Sequence, residues 1–110
     1  MSKRTSLRPD GWTWAKSVSH DLGVQVDDMI WVSGMIAFDP QGNIIGEGNM
    51  RLQADTAFNN VAAVLAVAGA TMNDVVKITA WLTDMRNYQE YNDARTAAFP
   101  NRLPASGSTE

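Results

Sequence analysis

Residues 49–69 read NMRLQADTAFNNVAAVLAVAG, and this stretch decides the fold class. The apolar residues Ala54, Ala57, Phe58, Val61, Val64, Leu65 and Ala68 recur at i, i+3, i+4 and i+7, which gathers them on one face of an α-helix. Asn49 stands where an N-cap side chain accepts a bond from a first-turn N–H, and Gly69 stands where helices end. The other face carries Ala62, Ala63, Ala66 and Val67, small and weakly polar. The helix is therefore expected to lie flat against a sheet and to be buried on more than one side.

Downstream, Val75–Thr83 alternates, with Val76, Ile78, Ala80 and Leu82 on one face and Lys77, Thr79, Trp81 and Thr83 on the other. That is a strand with a single core face. Asp84 then caps a second helix whose inward stripe is Tyr88, Tyr91, Asn92, Arg95, Ala98 and Phe99, closed by Pro100. From Leu103 the chain is expected to be extended again. Upstream, the apolar run Met29–Ile36 ends at the turn cluster Asp39-Pro40-Gln41-Gly42-Asn43, and Gly23–Val26 precedes it across an Asp27-Asp28 turn. Trp12, Trp14 and Lys16 alternate after Pro9-Asp10-Gly11 and predict one more short strand. Strands, a helix, a strand, a helix and the start of a strand make an α+β domain with two helices on one face of a mixed sheet.

The chain has 110 residues, enough for one core and too few for two, so residues 1–110 read as a single domain. It contains no cysteine, which excludes a disulfide scaffold, a thiolate nucleophile and a thiol redox switch. Net charge is -3; with Lys3, Arg4 and Arg8 in the first eight residues, the rest carries six positive against twelve negative side chains. So acidic a body repels a phosphate backbone, and nucleic acid is not expected as a partner. The basic N-terminus has no apolar run behind it, and the longest apolar stretch, Val61–Ala70, is about half of the roughly twenty residues a membrane span needs. A cytoplasmic protein with no membrane partner is the resulting expectation.

Several strings then converge: Val32-Ser33-Gly34 after an apolar strand, Val64-Leu65 through Ala68-Gly69-Ala70, Asp74-Val75-Val76-Lys77, Leu82-Thr83-Asp84-Met85, Tyr91-Asn92 and Pro104-Ala105. Together, from about Gly23 to Glu110, they resemble the YjgF/RidA family. The resemblance implies a chorismate-mutase-like α+β fold and a homotrimer with clefts between subunits. It implies, without any cofactor, hydrolysis of reactive enamines and imines such as 2-aminoacrylate. Four tryptophans and an alanine-rich helix in so small a chain agree with apolar surface buried between copies.

Three positions depart from the family pattern. The carboxylate-binding arginine of the family follows the Pro-Ala pair, where this chain has Ser106 after Pro104-Ala105. A hydroxyl donates one neutral bond where guanidinium makes a charge-assisted pair. The family's tyrosine, three residues before the glycine opening its second strand, falls on His20, and its acidic residue on the final strand would lie beyond Glu110. The domain is therefore expected to lack its last strand.

The resemblance implies catalytic roles for Ser33, Asn92, Ser106 and His20, with Gly34, Ala105, Gly107 and Ser108 lining the substrate. Each has a plain alternative. Ser33-Gly34 can be a strand-end turn, His20 an exposed loop residue and Asn92 a structural hydrogen-bond partner. Arg95 and Arg102 are the cations available to replace the missing arginine, or are solvated. A single histidine and no cysteine argue against a metal site. The tryptophans and Phe38 read as core and interface packing rather than a base-stacking platform. The expected function is cofactor-independent deamination of a small imine or enamine metabolite. A trimer that binds a small carboxylate or imine metabolite without catalysis is the alternative, and a ribonuclease is disfavoured by charge.

Overall fold

In the computed structural model, residues 3–110 are described. Strands β1 (Arg4–Leu7), β2 (Gly23–Val26) and β3 (Met29–Val32) form an antiparallel sheet in that order. Helix α1 (Met50–Val67) follows, then β4 (Lys77–Trp81), α2 (Tyr88–Ala98) and β5 (Ala105–Thr109), which pairs parallel to β4. The α+β class and both helices agree with the sequence reading. The strands, however, form two hydrogen-bonded groups, because no described strand pairs with both β3 and β4.

Helix α1 begins and ends where its caps dictate. The Asn49 side chain accepts from the Leu52 N–H at 3.0 Å. At the far end Gly69 adopts φ +76°, and the N–H groups of Gly69 and Ala70 return to the carbonyls of Ala66 and Leu65, satisfying acceptors the helix leaves unpaired. One core joins Leu7, Ala15, Leu22 and Val64, with Ile30 and Val32 packed against it. A second joins Ala54, Leu82, Tyr91 and Ala94, with Phe58, Ala80 and Tyr88 around it. Val64 and Ala54 both belong to α1, so one helix serves both cores. Where it crosses β2 only glycine fits, since a Cβ on Gly23 would lie 2.5 Å from Val64 Cγ1 and 3.3 Å from Leu7 Cβ.

Several local expectations are corrected. Trp12–Lys16 is not a strand but leads into a 3-10 helix, Thr13–Ser17. The indoles of Trp12 and Trp14 do not line one face of a strand but stack on each other at 5.7 Å, and Trp14 meets Phe38 at 5.3 Å. The first strand lies instead in the basic arm, where only Leu7 is buried, so its sequence shows no alternation. The strand in the run 29–36 ends at Val32, where the Ser33 N–H bonds the Leu22 carbonyl in continuation of the register and its hydroxyl turns to the Asp21 carbonyl. Asp84 caps a 3-10 turn, Met85–Asn87, that runs directly into α2. The buried side of α2 includes Ala94, which the sequence stripe omitted, while the outer side of α1 is open at Ala66 and Val67. Residues 105–109 form the strand expected after Leu103.

Two turns are fixed by carboxylates. Bonds from Asn43 hold the Asp39 carboxyl below its ordinary range, and the Arg86 guanidinium does the same for Asp84. The Asp27-Asp28 turn joins β2 to β3 with Asp27 at φ 53°, the left-handed conformation that a two-residue hairpin turn demands.

Candidate functional site

Parallel pairing sets which side chains of β4 and β5 share a face. Ser106 is opposite Ile78 and Ser108 opposite Ala80, so both serines lie on the face that α2 covers. Ala105, Gly107 and Thr109 lie on the other face with Lys77, Thr79 and Trp81. The Lys77 ammonium sits 3.7 Å from where a Gly107 Cβ would be.

On the helix side, Tyr88, Asn92 and Arg95 are spaced i, i+4 and i+7 on α2 and converge on Ser106. Arg95 Nη1 donates to Ser106 Oγ at 2.8 Å, and Nη2 donates to the Tyr88 hydroxyl at 3.1 Å and to Asn92 Oδ1. The guanidinium carbon lies 5.9 Å from the Tyr88 ring centroid and 5.4 Å from that of Tyr91, within cation–π range. Two of the four residues expected to be catalytic, Asn92 and Ser106, are thus brought together, and the link between them is Arg95. Tyr88 completes the group, and its place on the same stripe was the only sequence signal for it.

Ser33 forms a second, separate group. Its hydroxyl donates to the Asp21 carbonyl at 2.5 Å, next to exposed His20. No hydrogen bond joins this group to the Arg95 cluster among the described residues. Gly34 is exposed, has open space where a Cβ would lie, and is absent from the positive-φ glycines, so it does not serve as a strained turn. Arg102 is exposed and makes no hydrogen bond to a described residue. The Ser108 hydroxyl is buried without a partner among them. No group of acidic residues, histidines or cysteines suited to a metal occurs among the described residues, and no helix there is long and apolar enough to cross a membrane.

The Ser33 tie yields a direct expectation. Ser33→Ala should cost about 1 kcal/mol, the usual worth of one such bond, and should broaden the His20 resonances as the loop loosens. A melting temperature and His20 line width equal to the parent's would show that the bond positions nothing.

The fold and this cluster describe a small α+β domain that presents a fixed arginine beside its last described strand. The chain belongs to the YjgF/RidA family: the family model described as Endoribonuclease L-PSP matches residues 15–109. It is 33% identical over 91 residues to a RutC family protein of Pyrococcus abyssi, covering 83% of this chain and 72% of that protein. It is 35% identical over 86 residues to the 2-iminobutanoate/2-iminopropanoate deaminase of Mus musculus, covering 78% of this chain and 64% of that enzyme. Among solved structures, RidA from the Antarctic bacterium Psychrobacter sp. superposes with a TM-score of 0.84 at 26% identity, covering 94% of this chain and 83% of that one.

Proposed function

We propose that this protein is a cofactor-independent hydrolytic deaminase of small imines and enamines, working as a homotrimer with its sites in clefts between subunits. The observation that carries the reading is the convergence of Arg95, Ser106, Asn92 and Tyr88 at β5, in a chain related to the mouse imine deaminase. Water adds to the imine carbon, the tetrahedral adduct collapses, and the products are a carbonyl compound and ammonia. Oriented donors around the substrate serve this chemistry by fixing the imine against the water and by stabilising charge as it develops. His20, exposed in its own chain, is the imidazole available to carry a proton in a neighbouring subunit's cleft.

Exposed apolar residues support the assembly. Trp31 is 56% exposed and Met29 52%, on the face of β3 opposite Ile30 and Val32. Trp81 is 77% exposed on the face of β4 turned away from the helices. Such surface is ordinarily buried against a partner.

One observation favours a second reading, a trimer that binds the metabolite without turning it over. No carboxylate accompanies the donors at Arg95 among the described residues, so the cluster supplies no general base of its own. The acidic body counts against RNA cleavage.

Ammonia release from 2-aminoacrylate generated enzymatically, using protein from a size-exclusion peak of trimer mass, separates the two. Release above the buffer rate is the expected result. A well-folded trimer that releases none would overturn the deaminase reading in favour of binding.

A further inference from the structure

The Arg95 cluster has more donors than acceptors. Arginine carries five N–H donors, and three bonds here leave the Nε–H and one Nη1–H without a described partner. The hydroxyls of Ser106 and Tyr88 accept from Arg95, and neither proton has an acceptor among the described residues; nor does the Asn92 amide NH2. All three acceptors around the guanidinium are neutral. The described ion pairs involve Arg4, Arg51 and Arg86, and none involves Arg95. A half-buried charge normally sits against an opposite one. This one is instead held still by two tyrosine rings and three neutral oxygens, with unused donors on its guanidinium and on three neighbouring side chains.

We propose that Arg95 is the carboxylate-binding residue of this chain, assisted by Ser106, Asn92 and Tyr88. The cation comes from helix α2 and not from strand β5. An acceptor-only anion is the chemical complement of such a cluster, and a charge of -1 matches one guanidinium in an otherwise acidic protein. Building on the deaminase reading above, the assignment narrows the substrates to imino acids that keep their carboxylate, of which 2-iminobutanoate is the probe chosen here. A side chain already fixed before binding loses little freedom when the ligand arrives.

The test has two parts. Calorimetric titration with 2-oxobutanoate, the carbonyl product of 2-iminobutanoate deamination, should show binding that 2-butanone, which lacks the carboxylate, does not. Arg95→Gln should weaken it tenfold or more, Arg95→Lys less, and Arg102→Gln should match the parent. Steady-state deamination of 2-iminobutanoate should show Arg95→Lys raising KM with little change in kcat. Arg95→Lys keeps the helix and the charge, so it carries the test if Arg95→Gln fails to fold. Equal affinity for 2-oxobutanoate in parent and both Arg95 variants, or none in the parent, would overturn the proposal. Deamination that is unaffected by Arg95 would sink the assignment and leave the activity standing, whereas Arg95-dependent carboxylate binding without ammonia release would do the reverse.

Discussion

Leu22→Ala is expected to lower stability by about 2–5 kcal/mol, the range for truncating a buried leucine, which is a large share of the roughly 5–15 kcal/mol typical of a domain. Leu22 is fully buried between the 3-10 segment, the first sheet and α1, where it meets the cluster of Leu7, Ala15 and Val64. Its backbone carbonyl also accepts from the Ser33 N–H at 2.8 Å, so collapse of the emptied site would drag on the strand end. Urea melts give the measurement. Leu103→Ala is the reference, since that side chain is 84% exposed and surface changes of this kind stay within about 0.5 kcal/mol. Equal losses in the two variants would mean that the cavity argument does not describe this core.

Phe99→Ala is expected to cost about 3–5 kcal/mol by the same physics applied to an aromatic ring. Phe99, 2% exposed, closes α2 and meets Phe58 edge-on at 5.6 Å, while Phe58 stacks on Tyr91 at 6.0 Å. Removing it leaves a void beside Phe58, whose ring backs the Tyr91 ring under Arg95, so carboxylate binding should weaken along with stability. Tyr91→Phe provides the contrast. The Tyr91 hydroxyl is buried with no partner among the described residues, and deleting an unsatisfied group while keeping the ring should leave stability unchanged or raise it by about 1 kcal/mol. A Tyr91→Phe variant as damaged as Phe99→Ala would show that the hydroxyl has a partner in the assembled protein.

The parts of the fold that were legible are those written in local periodicity. Asn49 and Gly69 bracket α1 as its caps require, and the alternation around Ile78 and Ala80 marks β4. What stayed hidden depends on partners far along the chain. β1 is a strand only because β2 pairs with it, and the indoles of Trp12 and Trp14 mimic alternation while packing on each other and on Phe38. The candidate site was half legible. Ser106 was marked as a departure from the family pattern, and Arg95 was visible on a stripe with Asn92. That their side chains meet follows from how α2 lies over β5, which no spacing within either segment encodes. Ser33 was read as a cleft residue, and its hydroxyl is engaged with the loop beside His20.

The sharing of α1 between two cores bears on the order in which the molecule comes apart. Val64 anchors one end of the helix in the Leu7–Leu22 cluster, and Ala54 anchors the other beside Leu82, Tyr91 and Ala94. Either cluster can open while the other still grips the helix, so amides near the middle of α1 exchange with solvent only when both have failed. Protection in native-state hydrogen exchange should therefore peak along α1 and fall towards the strands on either side, with β4 and β5, which among the described strands pair only with each other, released before the helix that carries them.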